Sequence, residues 1–332
     1  MFAKIIINYF AIELLIVHEV DCRDKFPCKF YSSCVCVYTK NNLLSVDYAG
    51  KNITVIPLFS GNVENVSLAN NRIQSVENGV FKYNLHLLYL DLSENKIYQL
   101  ASESFQGLFN LQTLIINNNN ISSTVSPSNV VFEPLVSLRY LDMKNNSNNC
   151  IAFNISFLTN LQTLKIDFVD GETYFDTEYK ALRNLTNLDL SGYSGRCLMK
   201  ILTPGTFEYF PYVQFLDLSK YRINVIYRGT FKHLRHLEFL DLSDNRCLKF
   251  TGCINIKYDL PSTSIKVLRL NKIHQTFALN TELFKCHIQN LRETKITEIH
   301  LDSNRLQLVK QGALSMLPKT LKKLSIADNQ FT

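Results

Sequence analysis

Between Val63 and Phe331 one apolar spelling, L-x-x-L-x-L-x-x-N-x-L, returns eleven times. It begins at Val63, Leu87, Leu111, Leu138, Leu161, Leu185, Val213, Leu237, Ile265, Ile296 and Leu321, and four of the ten steps are 24 residues. A segment this short cannot bury its own apolar face, so it folds only by lying against the segment before it. The sequence therefore predicts a solenoid of eleven coils, numbered 1 to 11 from those starts. Such a fold offers one long sheet and two flanks, with no central pocket. Its 332 residues need no division into globular domains.

A period of 20–29 residues with this spelling is the mark of a leucine-rich repeat. In coil 2, "LLYLDLSENKIYQLASESFQGLFN", Leu90 and Leu92 alternate with Tyr89, Asp91 and Ser93. That alternation predicts a short strand with the leucines inside and the other three on a concave surface. The fold class is α/β: a right-handed horseshoe with one parallel sheet on the concave face. Strands are expected near 66–68, 90–92, 114–116, 141–143, 164–166, 188–190, 216–218, 240–242, 268–270, 299–301 and 324–326. By the same alternation Leu240 points inward and Asp241 outward, so trimming the first is costly and the second cheap. Asn95 ends its strand, and its amide is expected to satisfy backbone groups of the turn and of the next coil.

A second register supports this. Phe81, Phe105, Phe132, Phe207 and Phe231 each lie six residues before the next repeat, with Ile155 and Tyr179 taking that place in two irregular coils. Rings at one fixed position predict an aromatic spine inside the convex wall. The ladder position holds Asn71, Asn95, Asn119, Asn146, Asn245, Asn304 and Asn329, but Val169, Tyr193, Tyr221 and Ile273 in the other four coils. Each loss removes turn hydrogen bonds, so the solenoid is expected to flatten or twist between about residues 165 and 290.

Apolar content of 46% is ordinary for a folded chain, and a net charge of +6 without long basic runs reads as a mildly basic surface. Nucleic acid is not an expected partner. Lys4 followed by an apolar stretch from Ile5 to Val17 has the length of a signal-peptide core, too short to span a bilayer. The domain reading is a signal peptide over 1–20, a cysteine-rich cap over 21–61 and repeats over 62–332. Cys22, Cys28, Cys34 and Cys36 cluster before the first repeat, where an open solenoid end needs covering. Zinc is the other use of four close cysteines, and the C-x-C spacing with an extracellular setting argues against it. Asn52, Asn65, Asn120, Asn145, Asn154 and Asn184 stand in N-x-S/T sequons and are N-glycosylation candidates.

The cap, the 24-residue repeat and phrases such as "GTFKHLRHLEFLDLS" and "ITEIHLDSNRLQLVKQGALSMLPKTLKKLSIADNQF" resemble the ectodomain of a Toll-like receptor over roughly residues 28–332. The segment "SGYSGRCLMKILTPGTF" resembles the central region of that family. The resemblance implies a non-catalytic ectodomain of an innate immune pattern-recognition receptor, binding a microbial ligand or protein partner and dimerising in the full-length receptor. It implies an extracellular location, and irregular coils that open lipid-binding space. It also implies a fourth cap cysteine near Tyr48, for which Cys22 is the substitute here. The sequence reaches Thr332 partway through a repeat, without a C-terminal cap or an apolar run long enough to span a bilayer. Membrane contact is thus expected only through a span these residues do not contain. The second hypothesis is a secreted leucine-rich repeat protein acting as a soluble decoy or in matrix adhesion.

Ligand contacts are expected first at Phe215, Phe239, Arg269 and His300, which share the concave face of consecutive coils. Tyr89 and Tyr140 occupy the same position as the two phenylalanines; packing between neighbouring coils is the competing role. Asp91, Asp142, Asp189, Asp217 and Asp241 form a row of acids, either simply solvated or, less in keeping with the oxygen count calcium wants, around a cation. No cofactor or metal is expected. His86, His233, His236, His274, His287 and His300 are scattered, and no catalytic motif accompanies them. Among the later cysteines, Cys247 is expected as a buried free thiol. Cys253 and Cys286 are expected to pair across adjacent coils, and Cys150 with Cys197 only if the fifth coil bends.

Overall fold

The computed structural model describes residues 26–27, 34–121, 130–146, 154–167, 175, 177–192, 200–279 and 281–331. One fourteen-stranded sheet runs the length of the molecule. Its first three strands precede coil 1: Phe26–Pro27 pairs antiparallel with Val35–Tyr38, which pairs antiparallel with Leu44–Asp47. Leu44–Asp47 then runs parallel to Val63–Ser67 of coil 1. From there eleven strands, one per coil, pair in parallel and in order to Lys323–Ser325. The buried Tyr48 ring packs edge-on against Phe59 at 6.0 Å.

In coils 2 to 11 each strand lies one residue earlier than the alternation predicts, for example Tyr89–Asp91 and Phe239–Asp241. Five of these strands end on an acid, the other five on Ile115, Lys165, Arg269, His300 and Ser325. Asp91, Asp142, Asp189, Asp217 and Asp241 each accept a hydrogen bond from the backbone N–H two residues on. That bond turns the chain away from the extended conformation.

The inward leucines are completely buried, Leu90, Leu92 and Leu240 among them. The spine exists. Phe81, Phe105, Phe132, Phe207 and Phe231 are buried, with Phe105 and Phe132 stacked at 5.7 Å and Phe207 and Phe231 at 5.8 Å.

The ladder asparagines work in the direction opposite to expectation, bonding back to the preceding coil. Asn95 donates to Leu92 O in its own turn and to Leu68 O in coil 1, and accepts from Ile73 N of coil 1. Asn119 and Asn146 repeat this. Consequently coils 7 and 9, which lack their own asparagine, are still served by their successors. Tyr221 N and Ile223 N donate to Asn245, and Ile273 N donates to Asn304. Strand register runs unbroken through the irregular region, from Thr163 to Asn187, Phe215, Phe239, Val267 and Glu298, including coils 5 and 6, whose successors carry no ladder asparagine. Val169 and Tyr193 lie outside the described residues.

Irregularity shows on the convex wall. After Asn245 the chain turns into short helices, Lys249–Gly252 and Ile256–Asp259, and coil 9 adds Lys285–Ile288. At Gly252 a Cβ would meet Asn224 O at 2.4 Å, so only glycine lets this helix lie so close to coil 7. The spine position of coil 8 is not aromatic. It is Asp259, 4% exposed, whose carboxylate accepts from Gly229 N and Phe231 N.

Candidate functional site

Four of the predicted contact residues fall on consecutive coils 7 to 10, held in line by the sheet. Phe215 is registered against Phe239, and Asp241 against Arg269, which in turn faces His300. The two phenylalanine rings are parallel, 7° apart in tilt with centroids 4.3 Å apart. The Arg269 guanidinium lies 5.0 Å from the Phe239 centroid and 3.7 Å from Asp241 Oδ2. His300 sits between Glu298 at 3.3 Å and Asp302 at 3.9 Å.

This geometry corrects one expectation. Phe239 is 6% exposed, covered by Phe215 on one side and Arg269 on the other, so it supports the strip rather than meeting a ligand. The accessible surface belongs to Phe215 and Arg269, both only partly buried. Tyr140 and Tyr89 are likewise engaged within the protein. The Lys165 ammonium stands 5.2 Å over the Tyr140 ring, and the Tyr89 hydroxyl is 3.4 Å from Asp91. Burial, then the Asp91 charge, raises the Tyr89 phenol above its usual range.

The acid row is not simply solvated. Asp142 and Asp241 are buried, and among the described residues no group of three or more His, Cys, Asp or Glu is arranged to hold a metal. Trimming Asp241 therefore removes a turn bond from a covered site, contrary to the expectation that it is cheap. Lys144 of coil 4 reaches across coil 5 to Asp189 of coil 6, Nζ to Oδ1 at 2.8 Å, and also donates to Ser191 Oγ at 2.7 Å. Burial alone would raise the Asp189 pKa; the Lys144 charge and the bonds from Lys144 and Ser191 outweigh it and hold the carboxyl below its usual value. Asp241 has Arg269. Asp217, between them, is pushed up to about 6 by burial and by the charges of Asp241 and Asp189. The strip thus places an aromatic face, a guanidinium and a protonatable carboxyl within three adjacent coils.

A family model described as leucine rich repeat matches residues 61–121 and 183–246. Toll-like receptor 4 of Pinctada imbricata is 34% identical over 238 residues, covering 70% of this chain and 26% of the relative. The chain is a leucine-rich repeat solenoid of the Toll-like receptor ectodomain type. Toll-like receptor 3 of Boselaphus tragocamelus is 29% identical over 48% of this chain and 19% of its own length. Toll-like receptor 8 of Homo sapiens is 29% identical over 41% of this chain and 13% of its own length. The Toll-type chain thus spans about a quarter or less of the length of these relatives.

The cysteines of this Toll-type solenoid depart from expectation. Cys34 and Cys36 are disulfide-bonded, while Cys22, Cys28, Cys150 and Cys197 lie outside the described residues. Cys253 and Cys286 do not pair; both are free thiols. The helices of coil 8 turn Cys253 into the core, where its thiol donates to Phe250 O at 3.4 Å and burial pushes it up to about 12. Cys286, in the helix of coil 9, is exposed. Cys247 is free as expected but exposed, because the chain turns helical after Asn245 and Leu248 takes the inward place.

Asn52, Asn120 and Asn184 are exposed, and Asn65, Asn145 and Asn154 partly buried. His274, one of the scattered histidines, is buried beside Phe250 at 4.7 Å and near Asn304, and burial pushes it down to about 4. His233 is partly buried, and the exposed His236 stacks on Tyr212 at 5.9 Å. An apolar cavity of about 180 Å³ lies inside coils 8 to 11, lined by Phe250, Leu283, Ile288, Leu317 and Ile326 among others. It spans coils 8 and 9, with their helical convex wall, and coils 10 and 11, which keep Asn304 and Asn329. Among the described residues no helix is long and apolar enough to cross a membrane.

Proposed function

We propose that this solenoid is the ligand-recognition part of an innate immune pattern-recognition receptor, non-catalytic, holding a microbial ligand on the concave strip of coils 7 to 10 and dimerising in the full-length receptor. One observation carries the site: the Phe215–Phe239 stack closed by Arg269. A partly covered aromatic and a guanidinium on a rigid sheet, beside the carboxyl of Asp217, match the composition of binding hot spots. The bonded state of Cys34 and Cys36 supports an extracellular setting.

The test is binding of the full chain to bacterial lipopeptide, peptidoglycan fragments, lipopolysaccharide and double-stranded RNA, alongside Phe215→Ala and Arg269→Ala. At least one ligand is expected to bind, and each variant to bind it about tenfold or more weakly, which is ~1.4 kcal/mol. Binding of none, or equal binding by the variants, would overturn the assignment.

A further inference from the structure

The longest step in the repeat is that of coil 9, 31 residues from Ile265 to Ile296. Part of the extra length lies between Ile273 and the convex strand Thr281–Leu283. Eight residues separate Ile273 from Thr281, against four between Asn95 and the convex strand Gln99–Leu100 of coil 2. The insertion stands out from the flank. Phe277 is 89% exposed and Leu279 77%, the most exposed large apolar side chains of the described core coils save Leu58 of the cap. Two such side chains projecting on one loop are costly to leave in water without an occupant.

The loop is ringed by cations. Arg246 Nη1 donates to Thr276 Oγ1 at 3.1 Å, beside Phe277. Lys249 and Lys272 are exposed, and Lys249 N donates to Ile273 O at the base of the loop. Asp244, 3.4 Å from Arg246, is the acid among them. The surrounding flank has the same sign. The left-handed turn row that carries Asn70, Glu94, Asn118 and Asn145 in coils 1 to 4 carries Lys220, Asp244, Lys272 and Ser303 in coils 7 to 10, and coils 7 and 10 add left-handed Arg222 and Arg305 two residues further on. Residues 185–332 hold 21 Lys and Arg against 12 Asp and Glu, whereas residues 1–184 hold 14 against 17. Sequons Asn120 and Asn145 fall in or beside that turn row in coils 3 and 4, and none occurs after Asn184.

We infer that the coil 9 loop docks this flank on an anionic lipid surface, Phe277 and Leu279 entering the headgroup boundary while Arg246, Lys249 and Lys272 meet the lipid phosphates. Insertion of apolar tips behind a cationic rim is the chemistry of interfacial membrane binding. A protein partner is less well matched. A stable protein interface needs roughly 800 Å² per side of complementary relief, whereas a projecting loop tip offers little area to a rigid surface and a fluid layer closes around it.

The experiment is co-sedimentation of the full chain with vesicles of phosphatidylcholine plus phosphatidylglycerol, against vesicles of phosphatidylcholine alone. The wild type is expected to bind the anionic vesicles at least about tenfold more, with the difference shrinking at high salt. Phe277→Ser/Leu279→Ser, at exposed positions, is expected to keep the wild-type melting temperature and lose the binding. Lys249→Glu/Lys272→Glu is expected to weaken it about as much. Equal binding to both vesicle types, or full binding by the serine variant, would overturn the inference. So would a serine variant that binds vesicles normally but no longer self-associates in sedimentation velocity, since the loop would then serve a protein contact.

Discussion

Coils 1 to 4 and coils 7 to 10 build the same sheet by different means. In coils 1 to 3 each ladder carbonyl has two side-chain donors: Leu68 O receives Asn71 and Asn95, Leu92 O receives Asn95 and Asn119, and Ile116 O receives Asn119 and Asn146. In the second set Tyr221 and Ile273 stand where asparagine belongs, so Leu218 O depends on Asn245 and Leu270 O on Asn304. The convex walls differ in parallel, a row of stacked phenylalanines giving way to helices and a buried aspartate. Regular coils hold their backbone redundantly. Irregular ones hold it once, and spend the freed sequence on surface chemistry.

The largest effect should come from the wall. Phe231→Ala and Asp259→Ala alter one register position in its apolar and polar versions. Each is expected to cost ~3–5 kcal/mol, the first through a cavity and the second by stripping the acceptor from buried N–H groups of Gly229 and Phe231. Thermal unfolding checks both; a cost below ~1 kcal/mol for Asp259→Ala would mean that water or another side chain replaces the carboxylate.

Next comes the ladder. Asn245→Ala is expected to cost ~3 kcal/mol and Asn95→Ala ~1–2 kcal/mol, because Leu68 O keeps Asn71 while Leu218 O loses its side-chain donor. Equal shifts in melting temperature would break the contrast between redundant and single support.

The smallest is a gain. The folded pKa of Asp217 is about 6, against 3.8 for the free group. Folding therefore favours the protonated acid: below pH 3.8 it carries no penalty, and the penalty grows as pH rises through 6. Asp217→Asn should stabilise the protein by ~2 kcal/mol at pH 7.5, with the advantage fading to nothing near pH 4. A constant difference across that range would show that Asp217 ionises freely.

The repeat period carried the architecture in plain view, because burial alternates with the same spelling in every coil. Leu90, Leu240 and the spine phenylalanines follow from position alone. What the period does not encode is the lateral neighbour. Phe239 has an outward position yet is covered, since Phe215 and Arg269 happen to flank it. Cys253 and Cys286 lie in loops of adjacent coils, but the helix that turns Cys253 inward has no counterpart in the consensus. Asp259 occupies a spine register, and only three-dimensional stacking reveals the N–H groups that it meets. Phe277 was legible as length, in the 31-residue step, though not as an exposed tip.

The backward reach of the ladder gives the molecule a direction in time. Ile73 N is met by Asn95, Ile97 N by Asn119 and Ile121 N by Asn146, each partner arriving 22 to 25 residues later in the chain. A polypeptide emerging from the ribosome N-terminus first therefore finishes each turn only when the following one has been made. Its growing edge always trails synthesis by about one repeat, with a single rung of backbone donors open to water and closed by the next asparagine to appear.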